Sequence, residues 1–206
     1  MKKPIKTLFV FPVSQVWGGE EVWLKFLDRV DKNKINPFCL VFGEGQLSRR
    51  LKDMAIPFSV FPLARIRSPF LYGRNLFRII SLIKKEKFEI VNSLGIHLLT
   101  TLTVLFLNIT YMLHIHTIHR LPFIDRWCLR RAKNLITVSN YSKEFLVSYG
   151  VNPSNIKVIH NGVDAEDMKR RIKGNNLRKE LRLADDVALV GYTGRIVKWK
   201  NLELLI

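Results

Sequence analysis

The sequence predicts an α/β fold: a doubly wound parallel sheet with helices on both faces, Rossmann-like. Three observations carry this. Short apolar runs alternate with segments of helical period along residues 1–164, the pattern of repeated strand–helix units. Most runs are continuously apolar rather than alternating, as in strands covered on both faces. Turn and capping residues sit at the boundaries between them.

The first strand is expected over Thr7–Pro12, followed by a Gly18-Gly19 turn and a helix over Glu20–Val30. A strand over Phe38–Phe42 leads to a helix over Gln46–Met54. The third strand, Phe58–Phe61, precedes a helix over Leu71–Lys87. The fourth, Glu89–Asn92, precedes a helix over Leu98–Leu107, and the fifth, Tyr111–His116, a helix over Asp125–Ala132. Leu98–Ile115 contains no Asp, Glu, Lys or Arg and so raises a membrane span. Asn108-Ile109-Thr110 interrupts it, and a buried helix followed by a buried strand fits better. The sixth strand is Leu135–Val138. Ser139-Asn140 then cap a helix over Ser142–Tyr149 that Gly150 ends. Lys157–Ile159 is the seventh strand, closed by the Asn161-Gly162 turn.

Residues 165–186 are rich in charge and read as a connector with a helix. In residues 187–206 an apolar run ends at Gly191-Tyr192-Thr193-Gly194, Arg195 and Lys200 follow, and an apolar helix start comes next. A strand, a glycine turn and a helix N-terminus together bind phosphate through free backbone N–H groups. The domain reading is therefore 1–164, a connector 165–186, and 187–206 as the start of an incomplete second α/β domain.

A chain of 206 residues is long enough for one full core. Its 34 Lys+Arg against 17 Asp+Glu give a net charge of +17, which suggests an anionic partner: nucleic acid, an anionic membrane or a phosphorylated small molecule. Cys39 and Cys128 are too few and too far apart for a disulfide framework, and Cys39 reads as a buried free thiol. A reducing, cytoplasmic setting fits. The N-terminal apolar run has no small-residue cleavage site after it, so no targeting segment is expected.

Adjacent Gly18 and Gly19 let backbone approach a ligand, and the following helix N-terminus favours an anion. They are not a G-x-G-x-x-G fingerprint, and Glu44 is a weak imitation of a ribose-binding acid. His114, His116 and His119 cluster at the carboxyl end of the fifth strand, where ligands bind in open α/β sheets. Alternation puts His114 and His116 on one side, with His116 nearer the strand end. An imidazole there can bond a hydroxyl or phosphate or take a proton. No carboxylate or cysteine joins the trio at ligand spacing, so no metal is expected. His97 and His160 read as ordinary core or loop histidines.

Taken together these residues resemble glycosyltransferase family 4 and its GT-B fold. The carriers are Gly18-Gly19-Glu20, Ile90-Val91-Asn92-Ser93, the strand ending at His116, LITVSNYSKEFLVSYGVNPSNIKVIHNGVD over residues 135–164, and VGYTGRIVKWKNLELLI over residues 190–206. The resemblance covers essentially the whole chain but only about the first half of such an enzyme. It implies a retaining transferase that moves a sugar from a nucleotide diphosphate sugar to a hydroxyl acceptor, with no cofactor and usually no metal. By that resemblance Gly19, with Gly18, approaches the donor phosphates. His116 matches the histidine near the reacting sugar. Arg195 and Lys200 match the pair that neutralises the departing diphosphate. Asn92, Ser93, His119 and Asn161 are candidate acceptor or cleft residues, Asn92-Ser93 standing where many members have a histidine. The paired glutamates of the family do not fall within residues 1–206, so the chain by itself is expected to be inactive.

Arg65, Arg67, Arg74, Arg78, Lys84, Lys85 and Lys87 flank Pro69-Phe70-Leu71-Tyr72. Basic residues around exposed aromatics suit an anionic membrane surface, and family acceptors are often lipid-linked or cell-envelope glycans. The alternatives are a non-catalytic partner domain of a split transferase and a nucleic-acid-binding protein. No nucleic-acid motif is present, and the basic residues are spread over many segments.

Overall fold

The computed structural model describes residues 3–62, 69–117, 120–171, 177–184, 186–194 and 196–205. They fall into two units, Met1–Gly162 and Val163–Ile206.

The first unit is a seven-stranded sheet: β1 (Ile5–Phe11), β2 (Ile35–Phe42), β3 (Phe58–Phe61), β4 (Ile90–Leu94), β5 (Thr110–Ile115), β6 (Asn134–Thr137) and β7 (Ile156–Val158). Their spatial order is β3-β2-β1-β4-β5-β6-β7 and every pairing is parallel. The chain winds outward from β1 to β3, then returns to the far side of β1 and winds outward again. The loops after β1 and β4 therefore diverge, which opens a crevice at the carboxyl edge of the sheet.

Among the described residues six helices join the strands: α1 (Gly18–Arg29), α2 (Gln46–Asp53), α3 (Pro69–Glu86), α4 (Leu98–Leu107), α5 (Phe123–Arg131) and α6 (Asn140–Ser148). They divide between two apolar layers. Trp23, Leu24 and Leu27 of α1 and Leu47 and Leu51 of α2 pack on Phe9, Phe11, Cys39 and Val41. Ile79 and Ile83 of α3, Leu99 and Val104 of α4, Leu129 of α5 and Leu146 of α6 pack with Leu8, Val10, Leu40, Val91 and Leu113 on the opposite face. Strict alternation sends Phe9 and Phe11 one way and Leu8 and Val10 the other. That is why the runs read as continuously apolar.

Local chemistry sets the boundaries. Ser139 accepts the Ser142 N–H at 3.1 Å and starts α6, and Gly150 follows it at φ +82°. Asn108 ends α4 in a left-handed conformation, φ 49°, which asparagine tolerates. Among the described residues no helix is long and apolar enough to cross a membrane. The uncharged stretch 98–115 is α4 followed by β5.

Two expectations change. Helix α3 begins at Pro69, and its Leu71 and Tyr72 turn half inward, Tyr72 packing against the core. Of the aromatics in that segment Phe70 is exposed and Tyr72 is not, while Arg65 and Arg67, expected to flank it, lie outside the described residues. In the second unit, α7 (Ala165–Arg171) and α8 (Leu177–Glu180) precede residues 187–205, which form no strand among the described residues. Single turns of 3₁₀ helix at Lys198–Lys200 and Leu202–Leu204 stand where one helix was expected. A strand needs its backbone groups free for a ladder. Here the Val187 N–H donates to the Ala184 carbonyl at 3.2 Å, and the Val187 carbonyl accepts from the Arg178 guanidinium at 2.8 Å. Left-handed Asn201, φ 47°, separates the two turns. Leu189, Val190, Leu204 and Leu205 are exposed.

Candidate functional site

The crevice at the carboxyl edge is built first by the start of α1. Its first helical bond runs from the Glu21 N–H to the Trp17 carbonyl at 2.9 Å. The N–H groups of Gly18, Gly19 and Glu20 therefore precede the helical ladder. Glu20 is buried, and its carboxylate reaches back to accept the Trp17 N–H at 3.1 Å, which pins the turn. This is why the helix begins two residues earlier than the expected Glu20.

Gly19 lies directly against His116. A methyl group added at Gly19 would sit 3.5 Å from the His116 Cγ, an ordinary contact distance. A methyl at Gly18 would meet nothing within 4 Å, so Gly18 faces open space. Two of the sequence-predicted residues, far apart in the chain, are thus neighbours.

His116 is set by β5, although it does not end it. The last registered pair of that strand is Ile115 with Thr137, so His116 stands one residue past the ladder, a correction to the expected strand end. Its ring is held instead by side chains. His114 stacks beside it, centroids 6.2 Å apart and planes inclined by 19°. Trp23 meets His114 edge-on at 5.1 Å, and Phe9 and Phe11 brace Trp23 at 5.3 Å each. The row Phe9/Phe11–Trp23–His114–His116 runs from the core to the crevice. Burial, and secondarily the neighbouring His116, push His114 down to about 4. Burial also lowers His116 below the usual histidine range. Both rings are neutral at neutral pH.

His97, read from sequence as an ordinary histidine, belongs to this edge. It caps α4 just past β4, beside the divergence of the two winding directions. Its Nδ1 lies 2.9 Å from Thr100 Oγ1, its ring packs 4.4 Å from Phe42, and burial pushes it down to about 4. The signal that could have found it was its place after the fourth strand. Ser14 and Gly45 were also missed. The Ser14 carbonyl accepts the Leu47 N–H at 2.9 Å, and a methyl on Gly45 would fall 2.5 Å from that same oxygen. This contact ties the β1–α1 loop to the start of α2.

The remaining candidates are dispersed. Ser93 is fully buried and its hydroxyl donates to the Gly95 carbonyl at 3.0 Å. Asn92 is nearly as buried, between Phe9 and Met112 in the sheet, and among the described residues its Oδ1 has no partner. Asn161 is exposed beyond β7, next to His160, whose Nδ1 lies 3.0 Å from the Val138 carbonyl. Lys200 is exposed in the second unit. His119 and Arg195 lie outside the described residues. Among the described residues no group of three His, Cys, Asp or Glu could hold a metal ion.

Comparison with known proteins agrees with the fold. The family model described as Glycosyltransferase Family 4 matches residues 17–167. No curated protein matches the chain. Among solved structures, a glycosyltransferase from Rickettsia africae aligns with a TM-score of 0.70 at 19% identity, over 90% of this chain and 52% of that one. HepE from Anabaena, in complex with UDP-glucose, aligns at 0.68 and 18% identity over 98% of this chain and 56% of that one. MurG from Acinetobacter baumannii aligns at 0.59 and 18% identity over 76% and 45%. At these identities the likeness is one of fold: the sheet is that of the N-terminal half of GT-B glycosyltransferases. The chain spans about half the length of these structures.

Proposed function

The chain belongs to glycosyltransferase family 4, and on that premise we propose that its first unit is the acceptor-side half of a retaining transferase. The reaction moves a sugar from a nucleotide diphosphate sugar to a hydroxyl of a cell-envelope or lipid-linked glycan, at the inner face of the membrane. The single observation that carries this reading is Gly19 pressed against a neutral His116, at the open N-terminus of α1.

The chemistry follows from that contact. Breaking a glycosidic bond to a diphosphate builds positive charge on the sugar ring and negative charge on the leaving phosphate. The N–H groups that open α1 suit the phosphate. A neutral imidazole suits the sugar, because it can bond a hydroxyl without placing a cation beside the developing oxocarbenium ion. Trp23 and His114 hold that imidazole in place, and rigid placement is what such a role requires. Arg195 and Lys200 are assigned to the leaving diphosphate by the family pattern. Asn161 and His119 are assigned to the acceptor side in the same way. Asn92 and Ser93, being buried, support the sheet beneath the crevice rather than touch an acceptor.

The reading is tested by titrating UDP-glucose into the protein while following the imidazole protons by NMR. The His116 resonances should move with UDP-glucose, and Gly19→Leu should abolish the shift. Movement confined to His160, or none at any histidine, would overturn the assignment of the crevice. In an extended form that carries the nucleotide-sugar domain and is active, His116→Ala should lose turnover.

A further inference from the structure

Trp17 ends the loop after β1 with its indole in solvent, 54% exposed. It directly precedes α1 and stands two residues before Gly19, so their Cα atoms are at most about 7 Å apart. Gly19 in turn lies against His116. Chain connectivity alone therefore puts the indole beside the crevice. Among the described residues it meets no other ring and no cation. An exposed tryptophan is ordinary by itself. The firmness of the backbone beneath this one is not. The Trp17 N–H donates to the Glu20 carboxylate at 3.1 Å, and its carbonyl accepts from the Glu21 N–H at 2.9 Å. Before it, Val16 packs against the core layer of Trp23 and Leu47, and the Ser14 carbonyl accepts the Leu47 N–H at 2.9 Å. After it, a methyl at Gly18 would meet nothing within 4 Å. A large apolar ring on a fastened backbone, next to open space, is a preformed contact surface.

The chemistry around the ring selects what it can meet. Residues 12–24 contain no Lys or Arg. Their two acids are Glu20, which holds the Trp17 N–H, and Glu21, whose carboxylate lies 3.4 Å from the Arg50 guanidinium. No side chain of this segment attracts an anion, and the N–H groups that open α1 are assigned to the donor phosphates. The ligand of the indole is therefore uncharged. A protein partner would need a continuous apolar patch. Pro12, Val13 and Val16 are half-buried, so the indole stands alone in its loop. One isolated flat ring matches one sugar ring, which has C–H groups on a face and hydroxyls around its edge. The C–H face lies on the aromatic surface, and the hydroxyls need hydrogen-bonding groups beside it. His116 is one such group, and Gln15, exposed two residues before Trp17, is another.

We infer that Trp17 is the platform on which the acceptor sits: its indole stacks on the sugar ring that carries the accepting hydroxyl. The acceptor is then a neutral glycoside, and the reaction extends a glycan that already exists rather than starting one on a phosphate or a plain lipid alcohol. The inference rests on the transferase reading above and narrows its acceptor. Trp17 thereby sets specificity and position. The reaction itself is left to the groups at Gly19 and His116.

The test is an NMR titration of the full chain with the methyl glycosides of glucose, galactose, mannose and N-acetylglucosamine, following the indole N–H signals of its four tryptophans. The Trp17 signal is identified by its loss in Trp17→Tyr. At least one glycoside should move that signal more than the other three. Trp17→Ala should weaken binding of the same glycoside by roughly tenfold, read at the Gly18 and Gly19 amides. Trp17→Tyr should keep most of the affinity, because a phenol offers a similar flat face. Circular dichroism checks that each variant is folded. No movement at Trp17 with any of the four glycosides, equal movement at all four indoles, or equal losses in the Ala and Tyr variants would overturn the inference. So would a Trp17 shift with UDP-glucose or glycerol 3-phosphate when no glycoside produces one. The glycosides carry no phosphate, so the two readings fail separately. A silent Trp17 with His116 still responding to UDP-glucose removes only the platform. A glycoside shift with His116 silent to UDP-glucose removes the transferase reading and leaves Trp17 as a sugar-binding ring.

Discussion

Acid should loosen the first unit through two histidines, and the size of the effect can be worked out. His97 and His114 are each pushed down by burial to about 4, from an ordinary 6.5. The folded state resists the proton that the unfolded chain accepts. The stability these groups contribute is therefore complete above about pH 6.5, declines as the pH falls, and stops changing below about pH 4. At about pH 5 an unfolded histidine is almost fully protonated, whereas these two in the fold are only about one-tenth so. The difference is roughly 2 kcal/mol for each residue, rising to roughly 3 kcal/mol below about pH 4. Burial lowers His116 as well, which acts in the same direction. The assay is urea unfolding followed by circular dichroism at about pH 7.5 and about pH 5. His97→Asn keeps a residue suited to cap α4 and removes one titrating ring, so it should lose roughly 2 kcal/mol less than wild type between the two conditions. Equal losses in the two proteins would refute the reasoning, and would mean that the ring between Phe42 and Thr100 takes up its proton freely in the folded state.

Gly45→Ala should destabilise the fold by roughly 2–4 kcal/mol in the same urea assay, because the new methyl would fall 2.5 Å from the Ser14 backbone oxygen and neither side can yield cheaply. Ser139→Ala should cost about 1 kcal/mol, through loss of the bond that accepts the Ser142 N–H. Cys39 and Cys128 are fully buried and burial raises both thiols, so mass spectrometry should find neither alkylated by iodoacetamide in the folded protein and both alkylated in urea.

The fold was legible because its signals are short-range. Leu8, Phe9, Val10 and Phe11 form an unbroken apolar run only because alternate residues meet different helix layers, and that pattern is written in four consecutive letters. The Ser139 cap, the Gly150 stop and the Asn108 break are also local, and α4 runs over Leu98–Leu107 as its sequence predicts. The strand expected at Val187 is not formed among the described residues, for the opposite reason. Val187–Val190 has the composition of a strand, but a strand exists only where a neighbour takes its backbone bonds. The Val187 groups are taken by Ala184 and Arg178 instead. Composition marks a segment as able to pair and is silent on what it pairs with.

The site was legible in part, and the division has the same origin. Gly19 and His116 could each be singled out from a turn and a strand end, but their contact is a property of the winding order, which brings the loop after β1 and the end of β5 to one edge. His97 was passed over because a lone histidine before an apolar helix looks like core. Only the placement of β4 beside β1 sets it at the crevice. The same order explains why Asn92 and Ser93 are poor candidates for contact with an acceptor. They lie in the central strand of a sheet flanked on both sides, one to two residues before its end, and there a side chain is buried whatever its polarity. A parallel sheet exposes chemistry only beyond its last registered pair. That places His116, one residue past Ile115, just beyond the end of β5, where an imidazole can meet a ligand.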